Sequence, residues 1–394
     1  MSSAADQALA PTLALDASSR SFVAFGRWAA ALLVMFSHLR GMLFIGWGNL
    51  PPASKTVAVA LLYGATAFFH EAVVIFFVLS GFLISGPNLE RARVDLFRCK
   101  SYSVDRATRI YVTAFPALVL TLAADAIGRT YFSWTGFYDR TNLLTAERAG
   151  AAFHYEHQLL SFIQNLAMLQ PAHATVLGSN APLWSLSFEV WIYVWFMTFA
   201  LAFQRRAKSP WILVALATAG LLLFHWSAIF YLLIWCLGGV AYQSRRWPDS
   251  ISLAVAAFAA SLALSLSSWA ALDVARVPIK KTDILVGLSF AWVLALMKRR
   301  SYRLWTRTAK LNEGLADFSY SLYLIHFPLM LCFIGLFVRV AGLEAVVKHG
   351  FLPDRTGLSI YLPTAACTCL AAFMFSRLFE ARTRTVRRFI KERV

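Results

Sequence analysis

Arg27 and His38 stand eleven residues apart in a stretch, Phe22 to Leu39, that is otherwise almost wholly apolar. Eleven helical steps of about 100° bring the second side chain to within about 20° of the first, with a rise of roughly 16 Å, so the two share a face at two depths. An imidazole takes or gives a proton near neutral pH, or takes an acyl group as a nucleophile. A guanidinium is a permanently charged fork suited to phosphates. Position alone also fits plainer roles, an arginine snorkelling to headgroups and a histidine capping a neighbouring carbonyl. Glu189 lies seven residues into the run Pro182 to Tyr193, where a buried carboxylate must pair or protonate. Arg106 and Arg109, three apart and on one helical face, make a pair that can hold phosphate bidentately, although basic residues at a helix start also set topology. His326 precedes Pro328, whose ring frees a carbonyl four residues earlier, and a structural role at that kink is the plainer reading. Ser80 and Gly81 interrupt the bulky run 73–85, where small residues admit a close helix or a ligand. With Trp184, Ser187, Tyr323 and His326 they form the set expected near a pocket. His70 and Glu71 fall at the outer mouth of the second apolar run and are read as surface groups.

The elements that position these residues follow from composition. Of 394 residues, 59% are hydrophobic and 14% charged, against about 25% charged in soluble domains. Mean hydropathy is +0.60. Uncharged runs such as 117–124, 190–203, 211–224 and 253–266 recur along the chain, which makes it all-α and polytopic in a membrane. Ten spans are predicted, starting near residues 22, 68, 108, 182, 210, 227, 251, 282, 316 and 356. The pair over 210–243 is one long run broken near His225, and 56–67 is a short interfacial or re-entrant piece. The net charge of +17 does not mark a nucleic-acid binder, because the basic residues sit in short blocks between apolar runs. Those blocks concentrate on the loops that are cytoplasmic if the amino terminus is inside, which predicts both termini in the cytoplasm. The chain divides into a polar tail 1–21, a membrane domain 22–379 and a basic cytoplasmic tail 380–394. The loop 128–181, with Trp134, Tyr138, His154, Tyr155 and His157, is long enough to shape a site. Five cysteines at unsuitable spacings predict neither a disulfide framework nor a metal site.

Taken together, five pieces resemble the acyltransferase-3 family of membrane O-acyltransferases. They are Arg27-x10-His38; the FFVLSGFLIS run; Arg106-x2-Arg109 followed by Ile110-Tyr111; Leu183-Trp-Ser-Leu-Ser-Phe-Glu189; and Tyr320-Ser-Leu-Tyr-Leu-Ile-His326-Phe-Pro328. The family often has a proline near Tyr111 to Ala114, and this chain has none there. The resemblance implies ten spans in a cell inner (plasma) membrane and an acyl-CoA donor used from the cytoplasmic side. It also implies a hydroxyl acceptor on a sugar or similar molecule, and functional Arg27, His38, Arg106 and Arg109. By family frequency the acyl group is acetyl.

The geometry fits that expectation, since a phosphate-bearing head held by Arg27, Arg106 and Arg109 leaves the thioester arm a rise of ~16 Å to His38. His38 then serves as general base or as acyl acceptor, and Glu189 is expected to orient it. The expected partners are acyl-CoA as a substrate, with no bound cofactor, a glycan or other hydroxyl acceptor, and membrane lipids. The competing class is a transporter with a buried proton relay, for which repeated halves with broken helices would be the sign; none is seen.

Overall fold

The computed structural model describes residues 15–393 apart from 140, 143, 145–157, 171–172, 205–208, 224–225, 244–245, 268–271 and 275–276. The described chain is helical. In order, the helices are α1 (Ala17–Leu43), α2 (Val57–Ala65), α3 (Phe69–Arg93), α4 (Cys99–Tyr131), α5 (Gln158–Leu166), α6 (Trp184–Ala202), α7 (Pro210–Leu223), α8 (Trp226–Gln243) and α9 (Ile251–Ser267). A short antiparallel hairpin, β1 (Leu272–Val274) and β2 (Val277–Ile279), precedes α10 (Asp283–Arg299). Then come α11 (Arg303–Arg307), α12 (Ala309–Ala316), α13 (Ser319–Val340), α14 (Arg355–Leu378) and α15 (Thr383–Arg393).

Among the described residues six stretches, built on α1, α3, α4, α6, α13 and α14, are long and apolar enough to cross a membrane. The other four helices expected as spans, α7 to α10, begin where the sequence places them but are shorter. The break expected near His225 falls at residues 224–225, outside the described residues, as do His154, Tyr155 and His157 of the long loop. The segment 56–67 is the separate helix α2, capped by the Thr56 hydroxyl, which accepts from the Val59 amide.

Three boundaries differ from expectation. Helix α1 starts at Ala17, five residues early, because Asp16 caps it by accepting from the Ser19 amide at 2.8 Å. Helix α4 starts at Cys99, so Arg106 and Arg109 lie two to three turns inside it and do not open it. No proline or glycine interrupts residues 99 to 115, and a polar extension needs no apolar partner to stay helical. The basic tail after 379 is folded: Glu380 to Arg382 form a single turn leading into α15, which packs along the first turns of α4.

Close backbone approach sets the centre of the bundle. A Cβ on Gly81 of α3 would sit 1.8 Å from the Trp235 carbonyl oxygen of α8, and one on Gly238 would sit 2.0 Å from the Val78 oxygen. Two helices can touch in this way only through residues without side chains. Gly81 is thus a packing glycine. Helix α1 is pinned at its start by polar bonds, Ser19 Oγ to the Met297 oxygen at 2.7 Å and Trp28 Nε1 to Asn312 Oδ1 at 3.1 Å. At its far end Phe351 donates to the Leu43 oxygen at 2.8 Å. Arg27 and His38 are therefore carried by a helix fixed at both ends.

His70 and Glu71 are not surface groups. Each is 1% exposed. His70 Nε2 lies 2.8 Å from both carboxylate oxygens of Asp283, and Lys280 Nζ donates to Glu71 Oε1 at 2.6 Å, with Ser265 donating to the same oxygen. The segment leading into α10 covers the start of α3, and the charges it buries are paired. All five cysteines are free.

Candidate active site

Two polar clusters are strung along α1. The first surrounds His38, which keeps part of its surface open beside Phe69 and Phe327. Its Nδ1 lies 3.0 Å from Nε2 of His326, and the two rings are within 11° of parallel with centroids 5.3 Å apart, so they meet edge to edge. His326 is fully buried. Its Nδ1 faces the Tyr323 carbonyl at 2.8 Å and the Leu322 carbonyl at 3.1 Å. Carbonyls only accept, so the His326 proton sits on Nδ1 and, in the neutral ring, Nε2 is an acceptor. His38 must then donate from Nδ1, which leaves its Nε2 with a free lone pair. The network thus assigns the one tautomer of His38 able to act as base or nucleophile through Nε2.

Pro328 makes this possible without an orphaned backbone group. The carbonyl its ring releases, that of Leu324, accepts from Asn180 Nδ2 at 2.8 Å, and the same amide reaches Thr121 Oγ1 at 2.9 Å. Asn180 closes the long loop at the start of α6. That loop is held by Ser187 and Trp191, both donating to the Met168 carbonyl at 2.8 Å, where Met168 takes a left-handed conformation at φ 56°. Ser187 therefore anchors a loop and does not line the pocket. Trp184 likewise packs on Phe188 and Tyr231.

The second cluster lines a cavity of about 380 Å³ among α1, α3, α4, α6, α13 and α15. Its walls carry Arg27, Arg106, Arg109 and Arg387 against one carboxylate, Glu189. Glu189 Oε1 accepts from Ser80 Oγ at 2.9 Å and from the Tyr193 hydroxyl, and Trp235 Nε1 donates to Ser80 Oγ at 3.1 Å. Arg109 is tied to Glu380 at 2.7 Å and lies over the Tyr320 ring, while Glu380 also accepts from the Ser321 amide and hydroxyl. Among the described residues Arg27 and Arg106 have no hydrogen-bond or ion-pair partner, and the buried Arg106 Nε is unsatisfied. Glu189, Glu380 and Asp317 attract Arg27 at longer range, while Arg109 repels it. Such an array is built for an anion.

Of the residues singled out in the sequence, Arg27, Arg106, Arg109, Ser80, Glu189 and Tyr323 share this cavity, and His38 with His326 forms the separate pair. Val73, Phe76 and Tyr323 also line the cavity. Tyr323 bonds Ser185 at 2.5 Å, and its own carbonyl is the one that fixes His326. Glu189, expected above to orient His38, makes its hydrogen bonds elsewhere. Its partners are Ser80 and Tyr193 on the arginine side, and the group behind the imidazole is His326. Depth counted along one helix cannot see that α6 presents its carboxylate toward α3 and α4. Arg387 and Glu380 escaped sequence reading, which counts Arg387 as a topology charge and assigns Glu380 no role. The apolar spacing Thr383, Val386, Ile390 on one face of α15 was the available signal.

A bundle of apolar helices that carries a positively charged cavity and, separately, a paired histidine along one helix is that of a multi-pass membrane protein with a polar site in its interior. Residues 20–379 match the acyltransferase domain model of the acyltransferase-3 family, nearly the whole chain. The protein belongs to that family and is an acyltransferase moving groups other than amino-acyl groups. No curated protein and no solved structure matches the chain.

Proposed function

We propose that the protein transfers an acyl group, acetyl above all, from acyl-CoA to a hydroxyl of a sugar in an extracytoplasmic or lipid-linked glycan. It does so as a ten-span protein of the inner membrane with both ends in the cytoplasm. The observation that carries the reading is the cavity walled by four arginines and one carboxylate, whose Arg27 shares α1 with His38 of the His38 and His326 pair. Phosphates of the donor head lie among Arg106, Arg109 and Arg27, of which Arg27 and Arg106 have no hydrogen-bond or ion-pair partner among the described residues. The pantetheine arm runs along the apolar wall of Val73, Phe76 and Phe77 toward Tyr323 and His38, a distance set by the ~16 Å rise between Arg27 and His38. The basic residues concentrated on one set of loops support the orientation.

In the reaction the acceptor hydroxyl loses its proton to His38 Nε2 as its oxygen attacks the thioester carbonyl. The new C–O bond forms, the C–S bond breaks, and the imidazolium returns the proton to the departing thiolate, giving ester and CoA thiol. His326 holds His38 in the tautomer that allows this.

The test is His38→Ala in purified protein, with acetyl-CoA as donor and surface glycan from cells lacking the gene as acceptor. Ester formation, followed as added glycan mass, should vanish while CoA binding and membrane abundance persist. An alanine variant that keeps most of its transfer rate would sink the assignment.

A further inference from the structure

The four arginines of the cavity do not all come from the membrane helices. Arg387 is on α15, beyond residue 379 where the family match ends. It lines the cavity while its edge is clipped to α4: Nε lies 3.3 Å from Asp105 Oδ1 and 3.2 Å from Thr108 Oγ1, and NH2 lies 3.3 Å from the Asp105 carbonyl. Lys391, one turn on, donates to the same Asp105 oxygen at 2.8 Å and to Ser101 Oγ at 2.9 Å. These contacts hold α15 along the first turns of α4, with Arg387 facing Arg106 and Arg109. Both lie near enough to repel it. Three guanidiniums converge where Asp105 already has two cations and Glu380 is taken by Arg109. Arg106 lines the same space and its buried Nε is unsatisfied. Repulsion of that kind is relieved by a multiply charged anion and by little else.

We propose that Arg387 is a donor-binding residue that grips a phosphate of the acyl-CoA head, so that α15 is one wall of the donor pocket. This rests on the acyl-CoA reading above. Held by Asp105 on one edge, Arg387 presents its remaining N–H groups in a fixed orientation, which lowers the entropy lost on binding.

The experiment measures dissociation constants for coenzyme A and for pantetheine, which lacks the phosphates, on the full-length protein in a phosphate-free maltoside detergent. Arg387→Gln should weaken CoA binding about tenfold, the loss of one charge-assisted contact, and leave pantetheine binding unchanged. Arg388→Gln removes an equal charge from the exposed side of the same helix and nothing from the cavity wall, and it should bind CoA as wild type does. Equal CoA affinity in wild type and Arg387→Gln, or an equal loss in Arg388→Gln, overturns the proposal. So does a difference seen only in binding to phosphatidylglycerol vesicles, which would assign the phosphate to a lipid. Should Arg387→Gln lower thermal stability, Arg387→Lys is read in its place. It keeps the charge but not the planar fork and must bind CoA severalfold more weakly; wild-type affinity there refutes the assignment. If wild-type protein itself fails to prefer CoA over pantetheine, the acyl-CoA reading fails. If it prefers CoA and Arg387→Gln keeps that preference, only the role of Arg387 does.

Discussion

His326→Ala is the sharpest test of how the reactive histidine is prepared. The substitution removes the only acceptor that the described structure gives to His38 Nδ1, at 3.0 Å, and with it the nearly coplanar ring that the imidazole meets edge to edge. A neutral hydrogen bond contributes about 0.5–1.5 kcal/mol, so the tautomer balance alone shifts by roughly two- to tenfold. Lost orientation adds to this, and removal of a group that orients a functional histidine typically costs about 10–100-fold. The expected result is a fall in kcat of about 10- to 100-fold, measured as CoA thiol release with saturating acceptor, with CoA affinity unchanged. His326→Gln separates positioning from mere packing, because its amide oxygen can reach the place of Nε2 and accept from His38. It should recover part of the rate, while the alanine variant should not. In a double substitution with His38→Ala the His326 change should have no further effect, since residues that act as a unit are not additive. A stable His326→Ala protein with wild-type kcat, or one whose loss lies wholly in donor affinity, would refute the tautomer argument.

Arg106→Gln and Arg109→Gln are expected to differ although the two residues look equivalent in sequence. Arg106 has no acid to strand, so its replacement should raise the dissociation constant for CoA about tenfold with the melting temperature nearly unchanged. Replacing Arg109 leaves Glu380 without its cation, and both affinity and thermal stability should drop; equal melting points would contradict this. Lys280→Met removes the cation from Glu71, a group 1% exposed. It should destabilise the protein by about 3–5 kcal/mol, read in thermal or denaturant melts with the specific activity of the folded fraction unaffected. A variant as stable as wild type would mean that Glu71 is neutral.

The helices were legible because apolar runs of membrane length leave few alternatives. Their partners were not. A helical wheel states which residues share a face of α1, and Arg27 and His38 do, but which neighbour each face meets is decided by contacts such as Gly81 against Trp235, for which period and composition carry no signal. Hence His326, assigned to the Pro328 kink, is both: the proline's freed carbonyl goes to Asn180, and the histidine two residues before the proline turns to His38. Hence also the misplacement of Glu189, by a depth count that ignores helix rotation. The buried state of His70 and Glu71 was hidden for another reason, since Asp283 and Lys280 lie more than two hundred residues along the chain. Pairing at that separation cannot be read from local sequence.

The division of charge along α1 has a physical logic of its own. All the acids that touch the cavity or its arginines, Glu189, Glu380 and Asp105, lie with the cations, where each carboxylate has a hydrogen-bonding or ionic partner. Around His38 the partners are neutral: His326, backbone carbonyls, and the rings of Phe69 and Phe327. A carboxylate behind His38 would stabilise the imidazolium, as in a Ser-His-Asp triad, but it would have to be kept ionised there without a cation, at a cost of several kcal/mol in an apolar interior. A second imidazole fixes the tautomer without that charge. The consequence is kinetic. Among the described residues no carboxylate contacts His38, so under the proposed mechanism an imidazolium there would be short-lived, and proton abstraction from the acceptor would be closely coupled to proton return to the leaving thiolate. An acyl group attached to His38 would carry its positive charge for longer and would be the less stable course in this environment.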